Sequence, residues 1–289
     1  MELQNISFDL NELLNPVINE EKKQINIFYE YLLRCSKGEI DELVDIINEK
    51  QINKIIFSRL RKEKRTLNVD FGFLNKLSKK KILQLAIEEI SYNDLIGFNN
   101  LELLSINLNR NQKLFLNNFK KLNHITLSNY TGDNVDFSGA RTDNLSIMFY
   151  GERRDKFNYI LPLKKCSFLN FRNYTEIDFN RFNLIEVDGV DIYGCKKFVI
   201  NNCGMFFSKI KKMYLEKCDL SFLNEDLWLK LIDLKELYID NCKNLKSLKG
   251  ISSTLNKIKI INTKIEDCDV SFLEKVPNAT YTKYKEYIK

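Results

Sequence analysis

The sequence predicts an α/β protein: a solenoid of short parallel strands over residues 96–289, behind an N-terminal helical cap or small helical domain at residues 1–95. Three observations predict it. An apolar phrase recurs every 20 to 24 residues from Leu101 onward. Cys195, Cys218 and Cys242 fall at the same place in three successive copies of that phrase. The first 95 residues lack the phrase, and their apolar residues recur at helical spacing instead.

The clearest copy is Leu234-x-x-Leu237-x-Ile239-x-x-Cys242-x-x-Leu245-x-x-Leu248. With the position of Leu237 as anchor, the copies are assigned to Leu104, Ile125, Leu145, Cys166, Val190, Met213, Leu237 and Ile258. A weaker ninth copy sits at Ala279. Another apolar residue stands two positions after each anchor, from Ile106 to Ile260, as a strand with one buried face requires. Five positions after the anchors stand Asn109, Tyr130, Tyr150, Phe171, Cys195, Cys218, Cys242 and Thr263. This pattern resembles the leucine-rich repeat, in divergent form of bacterial or phage type, where that fifth position is Asn or Cys. The resemblance covers residues 101 to 285 and implies eight or nine repeats, with a curved parallel sheet on the inner face. The stretch Val135-Asp-Phe137-Ser-Gly-Ala140 has a pentapeptide flavour, but no neighbouring copies support it.

In the N-terminal part, Ile25, Phe28, Tyr29 and Leu32 predict one helix, with Gly38 as its stop. Ile40, Leu43, Val44 and Ile47 predict a second, and Ile52, Ile55, Ile56 and Leu60 form another apolar face. Residues 73 to 90 read either as helix or, at Leu83-Gln-Leu85, as a first strand. A solenoid must cover its first core layer, which is the reason for expecting a cap there.

Composition narrows the function. The formal net charge is +6, and most of it comes from the last hundred residues, where 18 Lys/Arg face 13 Asp/Glu. Lysine-rich loops on a solenoid are ordinarily a solvated surface, although nucleic-acid contact through them, or through the basic run from Arg59 to Arg65, is the alternative reading. The start Met-Glu-Leu-Gln-Asn has neither a basic segment nor an apolar run, so no secretory signal is expected. Seven cysteines, an odd number, read as reduced thiols in a cytoplasmic protein, either of the producing cell or of a host cell reached by leaderless delivery. Heavy use of Lys, Asn and Ile fits an AT-rich genome.

No motif for chemistry emerges. The single histidine, His124, immediately precedes an anchor and reads as a residue of the exposed strand face. There is no Cys-x-x-Cys, no phosphate-binding glycine loop and no pair of carboxylates set apart from surface charge; Asp267, Asp269 and Glu274 read as a loop cluster. The expectation is a non-enzyme without metal or cofactor.

Binding is expected on the strand positions that alternate with the core. Asp191, Tyr193, Tyr214, Glu216, Tyr238 and Asp240 would form one patch on three adjacent rungs. Outward tyrosines are good protein-contact residues, and the carboxylates favour a basic partner surface, although an aromatic ladder can equally serve the sheet itself. Proteins of this architecture include inhibitors, adaptors and effectors. An intracellular inhibitor or effector acting on a basic protein partner fits the composition.

Overall fold

A computed structural model describes residues 15–59, 69–88, 95–108, 113–152, 155–182, 186–200, 204–265 and 271–282. Two compact units are present: Met1–Gln112 with Asn118–Leu122, and Lys113–Asn117 with Asn123–Lys289.

The first unit holds β1 (Val17–Asn19), β2 (Gln24–Phe28), β3 (Lys54–Ser58), β4 (Gln84–Glu88) and β5 (Leu103–Asn107). β1 runs antiparallel to β2, and the remaining strands are parallel. Register aligns Ile25, Ile55, Leu85 and Leu104 across the ladder, all four with no exposed surface. Between β2 and β3 lie α1 (Tyr29–Leu32) and α2 (Lys37–Glu49). A capping box starts α2: the Ser36 hydroxyl accepts from the Glu39 amide while the Glu39 carboxylate accepts from the Ser36 amide. The helix buries Leu43, Val44 and Ile47.

The expected helical cap is therefore corrected to strands with two helices among them. Ile25 and Ile27 are both buried, and so are Ile55 and Phe57, which is a period of two and not 3.6. The set Ile25, Phe28, Tyr29 and Leu32 also satisfies a helical template, and a run this short cannot separate the two periods. Leu85 settles the ambiguous stretch as strand β4, whereas Leu74 lies in a 3-10 turn, Gly72–Lys76.

The second unit is a β-solenoid. Its main ladder is parallel throughout and contains eight strands: β7 (His124–Ser128), β9 (Ser146–Tyr150), β11 (Lys165–Arg172), β13 (Glu186–Tyr193), β15 (Lys212–Glu216), β16 (Glu236–Asp240), β17 (Lys257–Ile261) and β18 (Asn278–Thr282). Short strands from the intervening segments pair separately: β6 (Leu114–Phe115) with β8 (Val135–Asp136), and β10 (Lys156–Phe157) with β12 (Glu176–Asp178) and β14 (Lys197–Val199). Two short helices, α3 (Gly204–Ser208) and α4 (Glu225–Lys230), replace such strands in later turns.

Register corrects two of the anchors. Ile125 pairs with Ile147, Ile147 with Leu169, and Leu169 with Val190, so the third and fourth anchors are Ile147 and Leu169 in place of Leu145 and Cys166. Leu145 and Cys166 are buried as well, which is why the apolar pattern accepted them. The inward partners two residues on are Leu127, Phe149, Phe171, Ile192, Leu215, Ile239 and Ile260, all buried. Five positions after the corrected anchors stand Tyr130, Glu152 and Tyr174; of the residues first assigned there, Tyr150 is exposed and Phe171 belongs to the inward pair.

Backbone conformation fixes this register independently. Four residues after the anchors, the chain turns through the left-handed region at Asn129, Asn173, Gly194, Lys217, Asn241 and Asn262, with φ between 47° and 78°. Asn and Gly are the residues that enter this region most readily. Gly151 occupies the same column for a different reason, since a Cβ there would lie 2.7 Å from the Tyr174 ring.

One position further on, side chains tie the rungs together. The Cys242 amide donates to the Thr263 hydroxyl at 3.1 Å, and the Cys218 amide meets the Cys242 sulfur at 3.4 Å. Thr263 in turn donates to the Ile261 carbonyl at 3.0 Å. The Cys218 thiol can donate to the Ile192 and Glu216 carbonyls, and the Cys242 thiol to those of Leu215 and Asp240. Each buried amide thereby finds an acceptor on the next rung.

Two predictions follow from this column. Thr263→Val keeps the volume but removes the acceptor for the Cys242 amide, and should lower unfolding free energy in urea by about 1–3 kcal/mol. Burial pushes the Cys195 thiol up to about 12, while the hydrogen bond between Cys218 and Cys242, with burial, raises Cys218 and the same bond lowers Cys242. Because all three thiols are buried, native thiol labelling at pH 8 should leave Cys195, Cys218 and Cys242 unmodified, read by mass spectrometry, while urea exposes all three.

Candidate functional site

The residues that alternate with the core line the opposite face of the main sheet in three rows. One row runs Thr126, Met148, Asn170, Asp191, Tyr214, Tyr238, Lys259 and Thr280. A second runs Ser128, Tyr150, Arg172, Tyr193, Glu216, Asp240, Ile261 and Thr282. The third contains His124, Ser146, Phe168, Gly189, Lys212, Glu236 and Lys257. All six candidate residues lie on this face: Asp191 beside Tyr214 beside Tyr238, and Tyr193 beside Glu216 beside Asp240. Each is half-buried among its neighbours.

An aromatic strip crosses the rungs. The Phe168 and Tyr214 rings stack with centroids 5.8 Å apart and planes 19° apart, and Tyr214 meets Tyr238 at 6.3 Å. Gly189 makes the first contact possible. It occupies the strand between Phe168 and Tyr214, and a Cβ on it would fall 2.1 Å from the Phe168 ring. The Lys259 ammonium sits over the Tyr238 ring at 5.6 Å. Tyr193 has two cations against its ring, Arg172 at 5.6 Å and Lys217 at 4.6 Å, and its hydroxyl bonds Lys217 Nζ at 2.7 Å.

The carboxylates are mostly engaged within the chain. Asp191 is paired with Arg172, Glu216 with Lys217 at 3.5 Å, and Asp240 accepts from the Tyr238 hydroxyl at 3.1 Å. Glu236 receives Lys212, Lys257 and the Tyr214 hydroxyl. Its carboxyl is held below the ordinary value, chiefly by the hydrogen bond from Lys212. Asp191 goes the other way: burial raises its carboxyl, outweighing Arg172, and the nearby Glu216 adds to the rise. Burial, followed by the Glu236 charge, also raises the Tyr214 phenol.

Phe168, Arg172, Gly189, Lys212, Lys217 and Glu236 also belong to the patch, beyond the six residues expected there. Misplaced anchors hid the first two: with Leu169 as the buried anchor of β11, Phe168 and Arg172 fall on the outward face. The signal that could have found them is the turn column Asn129, Gly151, Asn173, Gly194, which fixes the register through these rungs. His124 lies on this face, half-buried, with its ring 3.3 Å from the Thr126 hydroxyl, and burial lowers its pKa. Of the basic run, residues 60–68 lie outside the described residues, as do Asp267 and Asp269. Among the described residues, no group of three or more His, Cys, Asp or Glu is placed to hold a metal ion. No helix among them is long and apolar enough to cross a membrane.

The chain matches no protein-family model, no curated protein and no solved structure.

These contacts give Tyr214 and Tyr238 different structural weights. Tyr214→Ala loses the Phe168 stack and the Glu236 hydrogen bond, and should destabilise the fold by about 1–2 kcal/mol. Tyr238→Ala keeps that stack and should cost about half as much. Gly189→Ala should displace the Phe168 ring and cost about 1–3 kcal/mol. Denaturant titration of the three variants checks the order; a Tyr238→Ala loss larger than that of Tyr214→Ala would contradict it.

Proposed function

We propose that this chain is a recognition module of leucine-rich-repeat type that binds another protein through the outward face of its main sheet, without chemistry of its own. The observation that carries the reading is the aromatic strip Phe168–Tyr214–Tyr238 with Tyr193 beside it, presented on adjacent rungs of a regular sheet. Tyrosine offers a large contact area with few rotors to freeze, so such rings hold binding energy well. Intrachain ion pairs leave Asp191 and Glu216 compensated, so the tyrosines weigh more here than attraction to a basic partner surface does. A basic partner group would find its best site at Asp240, which has the Tyr238 hydroxyl as its hydrogen-bond donor. The cysteines Cys166, Cys195, Cys218 and Cys242 are unpaired and buried, which suits a reducing, cytoplasmic setting, and an inhibitor or effector is a role such a module can fill.

The test is a photo-crosslinking residue, benzoylphenylalanine, introduced at Lys259 on the face and separately at Lys249, which pairs with Glu225 away from the strands. In cells of origin, position 259 should yield a discrete protein adduct that position 249 lacks. Adding Tyr238→Ala should reduce the yield roughly tenfold, as expected for a central contact residue. Equal adducts from both positions, or an RNA adduct at position 259, would rule the reading out.

A further inference from the structure

The main ladder finishes differently at its two ends. At one end β1 turns back antiparallel on β2. At the other, β18 pairs with β17 in an unbroken five-residue register and, among the described residues, with nothing beyond it. The core shows the same asymmetry. In every earlier turn of the second unit both inward strand positions are buried, down to Ile258 and Ile260 with no exposed surface. Their register partners on β18 are Ala279, which is exposed, and Tyr281, which is half-buried. Among the described residues, the last core layer therefore stands open on one side.

The direction of the backbone groups on this edge follows from the ladder. The Glu236 amide donates to the Lys211 carbonyl and the Lys257 amide to that of Lys235, each toward the preceding strand, whereas the Asn241 amide donates forward to Ile261. Asn278 holds the place of Lys257 on β18, so Asn278, Thr280 and Thr282 turn their backbone groups back toward β17. Ala279 and Tyr281 turn theirs outward. Proteins ordinarily blunt such an edge with lysine, proline or a bulge. The strand Asn278-Ala-Thr-Tyr-Thr282 contains none of these. Pro277, just before it, has no amide and limits how far a ladder could extend.

We propose that this edge pairs with the same edge of a second copy of the chain, antiparallel about a two-fold axis at Thr280. Centred there, Ala279 faces Tyr281 of the second copy and Tyr281 faces its Ala279. Each of these pairs exchanges two backbone hydrogen bonds, because both residues carry outward-pointing groups. A small side chain meets a large one, and the two open core layers close on each other. Centring on Ala279 would set Tyr281 against Pro277, which cannot donate; centring on Tyr281 would set the two rings directly opposite. A contact of like edges is complete at two copies, whereas pairing with β1 would be head-to-tail and would grow a filament. The inference stands independently of the protein-binding reading of the sheet face.

Sedimentation velocity of the full chain at about 100 μM should show a dimer that dissociates on dilution. Ala279→Pro removes an outward amide without touching the pairing to β17, and Ala279→Lys places a charge in the contact. Each should weaken the dimer by about tenfold or more with an unchanged circular dichroism spectrum. Thr280→Cys should cross-link to itself in oxidised glutathione beyond the level of the parent chain, since paired residues on the axis lie about 4.5 Å apart between Cα atoms, within disulfide range. Asn278→Cys and Thr282→Cys should each fail alone, with roughly 14 Å between equivalent positions, and should cross-link when mixed. A monomeric parent overturns the proposal; if deleting residues 283–289 then produced a dimer, the chain's own C-terminal segment would be the occupant of the edge. Assemblies that keep growing with concentration would mean head-to-tail pairing, and a dimer that survives both Ala279 substitutions would lie elsewhere. Either result sinks the proposal, as does self-linking of Asn278→Cys in place of Thr280→Cys.

Discussion

Six of the eight rungs of the solenoid depend on one backbone event, the left-handed turn four residues after the first buried strand position. It ends the strand, sends the chain around the core and sets which side chains face inward on the next pass. Asn129, Asn173, Gly194, Asn241 and Asn262 make this turn at little steric expense. The buried pairs Ile125/Leu127, Leu237/Ile239 and Ile258/Ile260 supply the energy of the core, but they tolerate a slip of register. The turns do not. A residue displaced from that column would need either an unsuitable side chain in the left-handed region or a different loop length.

That difference explains what could be read from the chain beforehand. Stacked parallel strands were legible because apolar pairs at i and i+2 repeat at nearly constant intervals, and the later anchors, from Val190 to Ile258, pair as expected. At β9 and β11 the pattern is overfull: Leu145, Ile147 and Phe149 are all buried, as are Cys166, Leu169 and Phe171. Hydrophobicity alone then offers two registers. Strand content before residue 90 was lost for a related reason, since Ile25, Phe28, Tyr29 and Leu32 fit a helix while Ile25 and Ile27 fit a strand, and cross-strand pairing with Ile55 decided the matter. The six candidate residues share one face because they lie in the well-registered rungs. Their ion-pair partners were not legible, since Arg172 reaches Asp191 only once β11 and β13 are aligned.

The face has two chemically distinct parts. From β7 to β9 it carries small polar groups with Met148 and an exposed Tyr150; from β11 onward it carries stacked rings interleaved with paired charges. Gly189 knits the second part together, since the absence of a side chain there lets Phe168 lean across a rung to Tyr214. The sheet's regularity alone would have kept those rings two strands apart, roughly 10 Å.

The column of Cys218, Cys242 and Thr263 has a consequence for how the molecule opens. In a stack where each turn touches only its neighbours, cooperativity is a local property, set by how strongly adjacent turns are coupled. From β15 to β17, amide-to-side-chain bonds reinforce the strand ladder at the same place on consecutive turns. At the corresponding place in earlier turns Tyr130 and Tyr174 fill the space with rings, and the Tyr130 hydroxyl bonds carbonyls of its own loop and of Ile160. Thermal opening of this solenoid should therefore differ from the fraying of a uniform zipper: the turns from β15 to β17 are expected to exchange their amide hydrogens as one block, whose boundaries are set by side chains and not by the strands.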